Sequence, residues 1–226
     1  MIYVIYKRGE DLMPKLIKIQ NPKFIDDVGK IIDLREEFIY SEKIQNKIIE
    51  NTDIEDKNDI GLTIDSCIFD NITFIDCNFE RVDLIDTIFK NCDLSNVSFS
   101  GGSIHRAQFI NCKLIGTRFD ECSFKNVLFE NILGKYSNFS YSKIVSVNFI
   151  ECNMIESIFQ EVKLDKVTFD NCNFTNGFFN KTFLGKMDLT TCDITGIDVD
   201  ISNIYGTTVT TMQALDLSRL LGLNIK

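Results

Sequence analysis

The chain has no tryptophan, a single histidine, two prolines and no apolar run near the roughly 20 residues that a membrane-spanning helix needs. One histidine, His105, leaves few routes to metal sites or to histidine acid–base chemistry. Two prolines and 12 glycines in 226 residues argue against a loop-rich chain. Basic residues are the minority, 24 Lys and Arg against 33 Asp and Glu, for a net charge of −9. That balance speaks against nucleic acid or an anionic bilayer as a direct partner, since both are met through a basic face. The motifs GxGxxG, GxSxG, HExxH and GxxxxGK[ST] do not occur. The opening MIYVIYKRGEDLM has its charges after a short apolar stretch, the wrong order for an export signal. The expectation is a cytoplasmic protein, not an enzyme, with no cofactor and no metal.

Two readings of the first residues stand side by side. Lys7-Arg8-Gly9-Glu10 is what a purine-rich ribosome-binding sequence reads as when translated in frame, and Met13 follows at a suitable distance. Residues 1–12 are then a leader outside the natural protein. The alternative is an N-terminal strand from Ile2 to Tyr6.

What the chain does have is a five-residue repeat. From Ile64 every fifth residue through Phe69, Phe74, Phe79 and Leu84 to Val209 is apolar at 29 of 30 positions, the exception being Gly134. At 44% apolar composition, about 13 would be expected by chance. Call these positions centres. Two residues before each centre stands an uncharged, mostly small residue, and all eight cysteines (67, 77, 92, 112, 122, 152, 172, 192) fall there. They read as small core fillers, because metal or disulfide use would need clustered ligands or an oxidising compartment.

A period of five fits neither helix nor alternating strand. It fits a short extended piece and a turn, with two side chains inward and three outward. Phe recurs at centres 69, 89, 109, 129, 149 and 169 and at 79, 99, 119, 139, 159 and 179. Cys at 92, 112, 152, 172 and 192, and Asn two after the centre at 71, 91, 111, 131 and 171, repeat with period twenty. Four sides per coil stack like on like, so the fold class is an all-β solenoid with coils about 4.8 Å apart. The first to fourth sides carry centres Ile64, Phe69, Phe74 and Phe79 and their equivalents. Residues 62–211 form the column, about 36 Å long at that spacing. Ile44, Ile49 and Ile54 suggest a degenerate coil before it, with Asp59 breaking the register.

Open coil ends need covering. Residues 13–61 are read as an N-terminal cap plus that degenerate coil, with an amphipathic α-helix over 23–40 on the spacing of Phe24, Val28, Ile31, Ile32 and Phe38. Residues 212–226 are read as a C-terminal helix and tail, with Thr211 as N-cap, a helix to Leu221 and Gly222 as the residue past its end. Leu217, Leu220, Leu221, Leu223 and Ile225 give this end more apolar surface than one coil end needs.

The unit small–polar–Leu/Phe–polar–polar, as in Cys92-Asp93-Leu94-Ser95-Asn96, resembles the pentapeptide-repeat proteins. The resemblance implies a right-handed quadrilateral β-helix. Gly206-Thr-Thr-Val209, Gln213-Ala214 and Leu220-Leu221-Gly222-Leu223-Asn224-Ile225 resemble the C-terminal element of Qnr-type quinolone-resistance proteins. That likeness implies a homodimer through this end; a simple cap on a monomer is the alternative. It also implies a type II topoisomerase, gyrase or topoisomerase IV, as partner through DNA mimicry. The unbroken register leaves no room for the loop insertions of the Gram-negative Qnr proteins.

Charge is uneven around the column. Residues 61–211 hold 19 acids and 12 bases. The second side has Asp70, Glu130, Glu151, Asp170 and Asp188 against Lys90, and the fourth has Glu80, Asp120, Glu121, Glu161, Asp198 and Asp200 against three bases. These acids are the candidate partner-binding residues. The rival reading is a rigid scaffold whose protein partner is no DNA-binding enzyme. Outward Ile68, Ile88, Leu128, Ile75, Ile115, Ile155, Phe178 and Phe183 point to such a partner, or some of them lie beneath the N-terminal segment. His105, one after a centre, should be exposed.

Overall fold

The computed structural model describes residues 16–24, 29–30 and 43–222. Residues 1–12, the strand alternative Ile2–Tyr6, most of 25–42, and Leu223 and Ile225 lie outside them.

The five-residue unit builds one wall of a coil because every fifth residue turns the corner. At 26 non-glycine positions between Asn46 and Lys186, always two after a centre, φ lies between 50° and 68°. Gly61, Gly101, Gly116, Gly196 and Gly206 continue the series. This left-handed region suits Gly, Asn and Asp, and Asn or Asp fill half of the 26 positions. The period-twenty asparagines are therefore corner residues. Their amides also bond from coil to coil, Asn131 Nδ2 to Asn111 Oδ1 at 2.9 Å and Asn111 Nδ2 to Asn91 Oδ1 at 3.3 Å.

The described strands are β1 (Gly29–Lys30), β2 (Lys43–Gln45), β3 (Lys47–Glu55), β4 (Thr63–Asp65), β5 (Ile68–Ile75), β6 (Asp83–Ile85), β7 (Ile88–Lys90), β8 (Ser103–Ile110), β9 (Ser123–Glu130), β10 (Lys143–Ile150) and β11 (Lys163–Asp170). All pair in parallel and, β1 apart, with a shift of twenty residues, as in Ile104↔Phe124 and Phe109↔Phe129. Single bridges carry the register on another side, from Asn58↔Asn78 to Phe178↔Asp198. Four five-residue walls per coil follow directly. The ladder takes in Ile44, Ile49 and Ile54, each buried, so the weak coil before residue 62 stacks in the same register.

Inside, Phe69, Phe89, Phe109, Phe129 and Phe149 stack with centroids 4.7–5.0 Å apart and planes within 8°. On the opposite wall Phe119, Phe139, Phe159 and Phe179 stack at 4.8–5.1 Å. The two stacks meet edge to face, Phe109 on Phe119 at 5.9 Å and 79°. Offset stacking along a wall and edge contacts across it are the arrangements that ring quadrupoles favour. Residues two before a centre do more than fill space. Their hydroxyls and thiols donate to the carbonyl of the coil below, Thr117 Oγ1 to Leu94 O at 2.8 Å and Cys122 Sγ to Phe99 O at 3.0 Å. The vacant centre at Gly134 is occupied from the next coil. A Cβ there would lie 2.5 Å from Met154 Sδ.

Three expectations need correction. Gly29–Lys30, inside the stretch read as a capping helix, pair as a strand with Lys47–Ile48, and Lys23 and Phe24 are not helical. The N-cap of the C-terminal helix is Thr210, in a capping box with Gln213, and α1 spans Thr211–Leu217 before a 3-10 turn, Ser218–Leu221, ending at left-handed Gly222. Finally, the register is unbroken in sequence but not in pairing. Among the described residues β11 pairs only with β10, and residues 183–188 beyond it form no strand. Phe183 lays its ring across Gly185, and a cavity of about 550 Å³ opens between this segment and β11.

Candidate protein-interaction surface

Residues 16–24 run extended along the corner between the first and second sides. Burial alternates, with Ile17, Ile19, Pro22 and Phe24 turned inward. Ile17 N–H donates to Asn148 Oδ1 at 3.0 Å, Gln20 N–H to Asn126 Oδ1 at 3.2 Å and Lys23 N–H to Asp86 Oδ1 at 2.9 Å. Asn148 Nδ2 returns a bond to Ile17 O at 2.8 Å. A strap crossing strands at right angles cannot join their ladder, so side chains satisfy its backbone. Ile68, Ile88 and Leu128 lie on the corner it follows and are half-buried rather than exposed.

Asp86 anchors the strap. Burial opposes its charge, but Arg106 grips both carboxylate oxygens at 2.6 Å and the Lys23 N–H adds a third bond, which together hold its carboxyl below the usual range. Arg106 Nη1 also contacts the ring of His105. His105 is thus half-buried, not exposed, and desolvation plus Arg106 and Lys125 push its pKa down.

The predicted acids do not form two uniform faces. On the second side Asp70 is met by Lys90 at 3.4 Å and Asn91 at 2.8 Å. Asp188 caps Thr190, and Asp170 is buried with Oδ1 unpartnered. Glu130 is pushed above the usual carboxylate range by burial and by neighbouring Glu151. On the fourth side Asp120 is held low by Arg118 and Ser100, against the opposing effect of burial. Glu161 pairs with Lys181 at 2.9 Å, and Asp200 accepts from Lys181 N–H and Asn203. Glu80, Glu121 and Asp198 carry no ion pair among the described residues. So does Glu156 on the adjoining corner, which charge sorting by side did not pick out. Acids without an ion pair thus remain on both sides; on the second, Glu130 and Asp170 are withdrawn by burial and Asp188 is engaged by Thr190, while Glu121 and Asp198 on the fourth stand exposed.

The thiols are sealed in. Burial pushes Cys67 up to about 11 and Cys122 up to about 12. Stacking against Cys172 and burial likewise raise Cys192. Among the described residues no three His, Cys, Asp or Glu side chains could hold a metal ion, and no helix is long and apolar enough to cross a membrane.

At the C-terminal end α1 latches to the last coil through polar groups. Gln213 Nε2 donates to Leu189 O at 2.8 Å and Cys192 O at 2.7 Å, Asp216 accepts from Gly196 N–H at 3.1 Å, and Arg219 donates to Ile197 O. Leu217 and Leu220 pack on the core while Leu221 stays 60% exposed. Together with Ile201, Ile204, Val209 and Ala214 these leucines line an open apolar groove.

These walls, corners and caps define a parallel β-solenoid scaffold. Residues 102–170 match the family model for the pentapeptide repeat region. The five-residue register continues on both sides of that match, so the chain carries a pentapeptide repeat region within a longer column of the same period. Residues 32–119 also match the model of the SV2A/B/C luminal domain. No curated protein matches the sequence. Among solved structures, full-length QnrB1, a plasmid-mediated fluoroquinolone resistance protein, is 25% identical over 86% of this chain and 95% of its own, with TM-score 0.40. HetL from Nostoc sp. strain PCC 7120, a pentapeptide repeat protein involved in heterocyst differentiation regulation, is 12% identical over 74% and 86%, with TM-score 0.41. A pentapeptide repeat protein of the Arabidopsis thaliana thylakoid lumen is 17% identical over 56% and 67%, with TM-score 0.25.

Proposed function

We propose that this protein is a non-enzymatic, cytoplasmic interaction column that engages a protein through its acidic fourth side. The observation that carries this is the set of carboxylates without ion pairs, Glu80, Glu121 and Asp198, on one rigid wall whose coils repeat at the strand spacing. Charge at fixed steps on a stiff rod can take the place of a nucleic acid in a basic groove. The Qnr-like run from Gly206 to Ile225 supports a type II topoisomerase as that partner. The test is gyrase supercoiling with titrated protein, with and without ciprofloxacin. Inhibition or drug protection is expected, and neither at about 10 μM protein retires DNA mimicry. The apolar groove beside α1 supports a homodimer through the C-terminal end. A monomer mass by light scattering at high micromolar concentration overturns it.

A second reading is supported by the outward side chains Ile75 (37% exposed), Leu133 (39%) and Phe178 (42%). It is a scaffold for a protein partner outside the topoisomerases. A gyrase-negative result together with loss of a native partner on Phe178→Ser favours it.

A further inference from the structure

The corner positions carry a clue beyond charge. Left-handed φ suits Asn, Asp and Gly, and a bulky aromatic there is an outlier. Tyr136 and Tyr141, both with φ 61°, occupy two such corners of one coil. They stand at the two edges of the acidic fourth side, 53% and 54% exposed. Core packing explains neither ring, since both point outward.

Acids flank both rings, beside Lys135 next to Tyr136 and Arg118 one coil from Asn138. Glu121 N–H bonds to Ser140 O at 2.9 Å and Tyr141 N–H to Gln160 O at 2.9 Å, so Tyr141 lies between the coils of Glu121 and Glu161. Tyr136 N–H bonds to Ile155 O at 3.1 Å, next to Glu156. Glu161 is engaged by Lys181, while Glu121 and Glu156 carry no ion pair among the described residues. Between the rings lie half-buried Asn138 and buried Ser140, with Ser140 N–H on Asn138 Oδ1 at 2.9 Å.

We propose that Tyr136 and Tyr141, with Glu121 and Glu156, form the docking point for an arginine-bearing segment of a protein partner. This rests on the reading of the fourth side as the interaction wall and names its centre. An arginine guanidinium is planar, stacks on a tyrosine face and leaves its N–H groups for a carboxylate. The compact, strongly hydrated ammonium of lysine uses such a site less well. Rigid tyrosines are also the residues in which binding energy concentrates at protein interfaces.

The test uses the full chain and fluorescein-labelled octa-arginine or octa-lysine, read by anisotropy at low salt. Three variants are compared with the unaltered protein: Tyr136→Asn/Tyr141→Asn, Glu121→Gln/Glu156→Gln, and Glu130→Gln on the opposite side as control. Asn suits the left-handed corner, so the tyrosine double variant should melt at a higher temperature while binding octa-arginine about tenfold more weakly. The Glu121/Glu156 variant should also weaken binding, and Glu130→Gln should leave it within about twofold. Unchanged octa-arginine affinity in the tyrosine variant overturns the docking point and leaves the acidic wall standing. Octa-lysine binding as tightly overturns the preference for arginine. A lower melting temperature overturns the argument from corner strain. No binding of either peptide to the unaltered protein removes the acidic-wall reading itself.

Discussion

Gly134 and Met154 should behave as one unit split between two coils. A Cβ at Gly134 would lie 2.5 Å from Met154 Sδ and 3.3 Å from Met154 Cε and Ile132 Cγ2. Met154 is 1% exposed, so its sulfur has no solvent to move into. Overpacking of this kind costs about 1–3 kcal/mol, while replacing Gly where the backbone allows it returns about 0.4–1 kcal/mol. Gly134→Ala should therefore destabilise by about 1–2 kcal/mol. Met154→Ala should cost about 2–5 kcal/mol, because it leaves both centres short of volume. Gly134→Leu/Met154→Ala restores the lost volume from the coil below. It should be more stable than Met154→Ala alone, with a coupling of about 2 kcal/mol. Urea unfolding followed by far-UV circular dichroism measures this, provided the slope m is unchanged. Losses that simply add in the double variant would refute the shared-volume account.

Ser142 Oγ donates to Phe119 O at 2.7 Å and accepts from Cys122 N–H at 2.9 Å in a buried setting. Ser142→Ala should lower stability by about 1–3 kcal/mol in the same urea assay, and Ser142→Thr should not, since Thr fills the equivalent position at 182. The eight buried thiols should resist a thiol reagent such as DTNB at pH 8 and react together on unfolding; a fast-reacting subset in the native protein would contradict the sealed core. Asp86, Asp93, Asp120 and Asp193 sit below their ordinary pKa in the folded chain. Their stabilisation is present above the unfolded value of about 3.9 and is lost as pH falls through the folded values. The urea midpoint should hold down to about pH 5 and decline below about pH 4, and Asp86→Asn should shrink that decline. Glu130, raised by burial and Glu151, acts in the opposite sense, so its protonation relieves strain as pH falls.

The column was legible because its signal is local and repeated. Phe69, Phe89 and Phe109 share a wall because each coil takes twenty residues, and the period of the sequence is the period of the stack. The cysteine positions showed their burial for the same reason, though not their bonds to carbonyls of the coil below. Asn91, Asn111 and Asn131 were visible as a ladder, but the left-handed turn they make is a backbone property, and it alone exposes Tyr136 and Tyr141 as misfits.

What no periodicity could supply are contacts between segments far apart in the chain. Ile17 meets Asn148 and Lys23 meets Asp86 because a strap returns along one corner, and nothing in either stretch names the other. The same holds for the acids: counting by side gave Asp120 and Glu161 as candidate partner-binding residues, and folding set Arg118 and Lys181 against them. By itself the sequence determined the coil, its four sides and which residues face inward, because those follow from spacing along the backbone. Tertiary structure alone decided the strap, the opening beside β11 and which carboxylates stay unpaired, because these depend on side chains meeting through space, across coils and along the column.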